Sequence, residues 1–124
     1  MSESVRLSSV TVNCDDAERV ARFYAEITGG SVTFCRGGWA TVETGSGRID
    51  CQAVEGYRPP EWPGPAGTSV LHLDFLVDDL SAAEERVLRA GAHRFDFQPN
   101  ASHCLVFADP AGHPFCLTTV DQLG

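Results

Sequence analysis

Apolar and polar residues alternate over residues 7–13, with Val10 and Val12 on one side and Ser9, Thr11 and Asn13 on the other, the two-residue period of a β-strand. The period then changes. Val20, Ala21, Tyr24 and Ile27 form an apolar stripe at helical spacing, Asp15 with Glu18 three residues later supplies a start signal, and Gly29 supplies a stop, predicting a helix at about 16–28. Strands are expected at 31–36 and 39–44, on either side of the two-residue hairpin signal Gly37-Gly38, and at 48–53 after the turn Gly45-Ser46-Gly47. The same succession returns: a strand at 70–77, a helix at about 80–90 with Ser81 and Glu84 in a capping-box pattern and Gly91 at its end, and strands near 94–97, 104–108 and 115–120. Asp109, Pro110, Ala111 and Gly112 read as a turn between the last two.

The recurrence is in register. An offset of 63 positions aligns Asp15 with Asp78, Asp16 with Asp79 and Phe34 with Phe97. That is too long for a solenoid repeat, so one domain spanning 1–124 is expected to hold two β-α-β-β-β modules, at about 5–54 and 70–121. The fold class is α+β: paired modules whose curved mixed sheets surround a cleft, with one helix per module on the outer face. Residues 55–69, which hold Pro59, Pro60, Pro63 and Pro65, form a linker or a binding loop, and Tyr57 and Trp62 within it either line a site or anchor the connection.

Composition narrows the chemistry. All nine basic residues are Arg, which removes Schiff-base and P-loop lysine chemistry. Seventeen acidic residues bring the net charge to -8 without any basic run, which argues against nucleic acid and suits a cationic or neutral ligand better than a polyanion. No run approaches the length of a membrane span and the first residues lack a secretion signal, so a soluble cytoplasmic protein is expected. Cys14, Cys35, Cys51, Cys104 and Cys116 form no CxxC pair, and their odd number fits reduced thiols acting as small apolar fillers.

Four strands carry polar residues on one side: Ser9, Thr11 and Asn13; Arg48, Asp50 and Gln52; His72 and Asp74; Cys116 and Thr118. The apolar side is expected to pack on the helices, so the polar side is either solvated surface or the lining of a site. His72 with Asp74 two residues on is the most suggestive pair, because a carboxylate on the same face orients an imidazole as ligand or general base.

At these residues the chain resembles the vicinal oxygen chelate superfamily of glyoxalase I, bleomycin-resistance proteins and extradiol dioxygenases, and most of all its small glyoxalase-like subgroup. The resemblance rests on residues 7–13, on His72-Leu73-Asp74-Phe75 with Val77-Asp78-Asp79, on residues 109–115, and on the loop 57–63. It implies metal-ligand positions at Ser9, Asp50, His72 and Cys116. His72 matches the common ligand type and Asp50 is a shortened Glu, whereas Ser9 stands for His and Cys116 for Glu.

The favoured reading is therefore a small-molecule protein with no cofactor. It is a resistance or sequestration binder, or an enzyme using cleft side chains, with Asp50, Gln52, Tyr57, Trp62, His72, Asp74 and Cys116 contacting the ligand, Trp39 as a further wall, and His72 with Asp74 as catalytic pair. The alternative is a lyase, isomerase or dioxygenase whose divalent zinc, nickel, iron or manganese is held by Asp50, His72 and Cys116. A third makes Cys116 a nucleophile activated by His72. The resemblance also implies a homodimer.

Overall fold

The computed structural model describes residues 3–64 and 71–119, and the chain divides into two compact units, Met1–Glu55 and Gly56–Gly124. In the first, strand β1 (Val10–Cys14) is followed by helix α1 (Ala17–Thr28) and strands β2 (Ser31–Arg36), β3 (Trp39–Thr44) and β4 (Gly47–Ala53). The sheet order is β1-β4-β3-β2, with β1 parallel to β4 and the other pairs antiparallel. In the second, β5 (Leu73–Leu76), α2 (Leu80–Ala90), β6 (His93–Arg94), β7 (Cys104–Ala108) and β8 (Pro114–Thr118) repeat the scheme as β5-β8-β7-β6. Among the described residues, two helices and two four-stranded mixed sheets make the α+β fold expected from the repeat.

Both helices start near, but not at, the expected caps. Asp16, not Asp15, caps α1 by accepting from the Arg19 N–H, and Asp15 instead pairs with the Arg19 guanidinium. Asp79, not Ser81, caps α2 by accepting from the N–H groups of Ser81 and Ala82, while Glu84 pairs with Arg94. Gly29 and Gly91 end the helices in left-handed conformation, as expected.

Strand boundaries also move. Residues 7–9 lie outside β1, and β5 begins at Leu73, because continuing the parallel register would set His72 opposite Pro114, which has no N–H to give. The strand expected at 94–97 is only the pair His93–Arg94: Gln98 takes over at Val106, its side-chain amide donating to the Val106 carbonyl and accepting from the Val106 N–H. Val70 and Val120, expected strand ends, lie outside the described residues.

In the first unit Ala17, Val20, Ala21, Phe23 and Tyr24 of α1 are buried, as are Val12, Cys14, Ala40, Val42, Ile49 and Cys51 of the sheet. The register places these strand residues on one face and Thr11, Thr41 and Asp50 on the other. In the second unit Phe115 is ringed by Phe75 and Phe107, each with centroids 5.8 Å away, and Leu105 and Leu117 are buried with them, while α2 buries only Val87.

Candidate functional site

Asp50 sits at the middle of the first sheet with 1% of its surface exposed. The register sets it directly opposite Thr41 on β3 and beside Thr11 on β1. Its Oδ1 accepts from Thr41 Oγ1 at 2.6 Å; its Oδ2 accepts from Ser9 Oγ at 2.7 Å and from Arg48 Nε and Nη2 at 3.2 and 3.0 Å. Trp39 donates its indole N–H to Thr41 Oγ1 at 3.3 Å and extends the network along β3. Burial by itself would raise the Asp50 pKa, but hydrogen bonds from Thr41, Ser9 and Arg48, with the Arg48 charge, outweigh it and leave the carboxyl more acidic than usual.

The equivalent positions of the second unit carry different chemistry. Asp74 pairs in register with Cys116 as Thr11 pairs with Asp50, and Val106 stands opposite Cys116 as Thr41 stands opposite Asp50. His72 Nε2 lies 3.0 Å from Asp74 Oδ1, both side chains being about half exposed. His72, Asp74 and Cys116 bring an imidazole nitrogen, a carboxylate oxygen and a sulfur within 4.8 Å of one another, the one group of this kind among the described residues. Burial, the Asp74 and Cys104 charges, and a hydrogen bond to Asp74 push the Cys116 thiol up to about 12. A thiol so placed is protonated at neutral pH, so a nucleophilic role for Cys116 would require a base to take its proton.

The metal-ligand positions implied by the resemblance can be tested against these contacts. Ser9 and Asp50 do not fit: the hydroxyl proton is given to Asp50, and both Asp50 oxygens already accept from Ser9, Thr41 and Arg48. His72 and Cys116 fit a divalent ion only with Asp74, a residue not among those positions.

Of the remaining predicted residues, Gln52 is exposed on the same face as Asp50, opposite Trp39. Tyr57 donates its hydroxyl to the Ala111 carbonyl at 2.8 Å, and Trp62 packs on Phe95 and Phe97 with centroids 4.9 and 5.6 Å away. Both rings are thus engaged within the second unit. Sequence reasoning left Thr41 and Arg48 out of the site, although they complete the Asp50 cluster. The signal for both was their alternation with Val42 and Ile49, read together with the strand register.

The glyoxalase-like domain matches residues 9–118. No curated protein sequence matches the chain. Among solved structures, the oxidase ChaP-H2 is 26% identical, with a TM-score of 0.67 and 95% of each chain covered. A mutant of the fosfomycin resistance protein FosX from Listeria monocytogenes, complexed with Mn(II) and dihydroxypropylphosphonic acid, is 15% identical, with a TM-score of 0.73 over 95% of this chain and 94% of that one. The bleomycin resistance determinant encoded on transposon Tn5 is 16% identical, with a TM-score of 0.63 over 95% and 100%. The fold is that of the vicinal oxygen chelate superfamily, as the strand and turn motifs implied.

Proposed function

We propose that this chain, which belongs to the glyoxalase-like domain family, binds a small molecule through ordinary side chains and without a tightly held metal ion. The observation that carries this reading is the engagement of both Asp50 oxygens by side chains of its own sheet. Oδ2 is engaged by Ser9 and the Arg48 guanidinium and Oδ1 by Thr41, so an ion would have to compete with four hydrogen bonds and a fixed cation, and the Ser9 hydroxyl beside it is a poor substitute for an imidazole. In this reading Asp50 acts through Arg48, Gln52 is a polar contact, and His72 meets the ligand with its orientation set by Asp74. On the same reading Tyr57 and Trp62 anchor the segment between the modules, supported by the Tyr57 hydrogen bond to the Ala111 carbonyl and the packing of Trp62 on Phe95.

The test is metal analysis of untagged protein together with His72→Ala. The expected result is far less than one equivalent of metal per chain and weaker small-molecule binding in the variant. About one equivalent of zinc, nickel, iron or manganese, lost on His72→Ala, overturns the reading.

The second reading is a metal-dependent lyase, isomerase or dioxygenase, and the specific observation behind it is the three-donor group His72, Asp74 and Cys116. Those residues would hold the ion, with zinc tolerating the thiolate best, and the bound ion would polarise substrate oxygens as a Lewis acid. His72 would have to exchange its contact with Asp74 for the ion, and Cys116 would have to lose its proton first. A homodimer belongs to both readings.

A further inference from the structure

We infer that Arg48 is an anion-recognition residue and that the small molecule carries a carboxylate on an apolar body. The inference rests on the binding reading above and names the ligand class for it. It runs against the long-range field of a chain with net charge -8, so the argument has to come from the groups at contact distance.

The first is the geometry of Arg48. Its Nε and Nη2 both donate to a single oxygen, Asp50 Oδ2, which fixes the plane of the guanidinium and leaves its other N–H groups, Nη1 among them, without a partner among the described residues. The Arg48 side chain is 42% exposed, whereas that of Asp50 is 1% exposed. One end of the pair is therefore buried and fixed while the other faces outward with donors to give.

The second is the choice of partner. Glu43 on β3 stands directly opposite Arg48 in the sheet, exposed and at the register position where a cross-strand ion pair is easiest, yet no ion pair joins them among the described residues. Arg48 is held instead by a carboxylate whose dehydration is costly and which Ser9 and Thr41 stabilise. An ion pair that served only surface solubility would not need a buried partner. A planar fork held rigid before the ligand arrives, with free N–H groups, is a preorganised receptor for a carboxylate.

The third is the company on that face. The register puts Trp39 and Phe34 on the same side of the sheet as Asp50, Trp39 being half-buried and Phe34 exposed, so apolar surface accompanies the fixed cation. Arg36 opposite Trp39 brings a second positive charge, and with Asp50 and Glu43 this face is neutral in an otherwise acidic chain.

The experiment is a titration, followed by NMR or calorimetry, of the full chain with two probes of equal size and opposite charge, benzoate and benzylammonium, each with and without a chelator. Benzoate should bind and benzylammonium should not. Arg48→Met should weaken benzoate about 10- to 100-fold, the worth of a charge-assisted hydrogen bond pair, and Arg48→Lys, which keeps the charge and loses the fork, should fall between. Because Arg48→Met leaves Asp50 buried without its cation, the double variant Arg48→Met/Asp50→Asn is measured beside it, with circular dichroism reporting the fold. Benzoate binding retained in the folded double variant overturns the assignment, as does binding of benzylammonium in its place, or of neither probe. Benzoate binding that vanishes with chelator leaves the anion class standing and sinks the metal-independent reading, so the two failures are distinguishable.

Discussion

At the scale of single residues, Asp50 and Cys116 occupy equivalent strand positions and are displaced in opposite directions, one carboxyl made more acidic and one thiol made less so. Each displacement predicts a pH window. Asp50 ionises more readily folded than unfolded, so its contribution is fully present above its ordinary value of 3.8 and is lost as pH falls through the lower folded value. Asp50→Asn should therefore be less stable than the parent at pH 7 by about 1–3 kcal/mol, with the gap closing in acid. Urea melts at pH 7 and below pH 3.8 measure this, and a gap unchanged by acid would mean the network acts without the charge. Cys116 runs the other way: its folded pKa of about 12 lies above the ordinary 9.0, so its stabilising contribution is complete below 9.0 and disappears as pH rises toward 12. Cys116→Ala should flatten that alkaline loss. In the native protein an aromatic disulfide reagent near pH 8 should label exposed Cys35 quickly while Cys116, protonated and 8% exposed, reacts slowly. Fast labelling mapped to Cys116 by mass spectrometry would contradict the geometry.

At the scale of elements, the repeat explains both what the sequence disclosed and what it concealed. Alternation and glycine stops were enough for the order of strands and helices, because a period of two and a period of 3.6 look different over seven residues or more. The site was harder, since it depends on register, and register turns on one residue. If Gly47 belongs to the turn, Thr44 faces Arg48 and Thr41 faces Cys51; with Gly47 in β4, Thr44 faces Gly47 and Thr41 faces Asp50. The Asp50 cluster thus became visible only with the pairing. The caps were missed by one and two residues, because the offset of 63 aligns Asp15 with Asp78 as well as Asp16 with Asp79, and only the second pair serves. The short β6 was not, because a Gln98 side chain replaces ladder bonds that no propensity anticipates. The modules also differ in how firmly their helices are held: α1 buries five side chains and α2 one, Val87, with Leu88 left exposed. Amide hydrogen exchange should therefore be faster in the middle of α2 than in the middle of α1, since local opening of α2 exposes little apolar surface. Equal protection of the two helices would show that α2 is held by contacts other than its own buried face.

At the scale of the whole molecule, the described exposed apolar residues fall unevenly. Val5 and Leu7 precede β1 and Val10 lies in it, while Leu71 precedes β5 and Leu76 lies in it, and β1 and β5 are each an edge of their sheet. An edge strand with unpaired backbone groups and apolar flanks is a standing invitation to association, which proteins suppress with charges, bulges or a cover. Neither β1, which reads Val-Thr-Val-Asn-Cys, nor β5, which reads Leu-Asp-Phe-Leu, carries Lys, Arg or Pro, and β1 has no charge at all. The net charge of -8 opposes nonspecific clumping, but at physiological salt screening cuts its reach to about 8–10 Å, so it does not by itself keep apolar edges from meeting. We propose that those edges meet a second copy of the chain, the commonest symmetric assembly being a twofold homodimer. Light scattering should give about twice the chain mass of 13.3 kDa, with dissociation on dilution. The double substitution Val10→Lys/Leu76→Lys, which charges both edges, should shift the mass toward that of one chain while leaving the helical circular dichroism signal in place. A parent mass of one chain that does not change with concentration would refute the dimer.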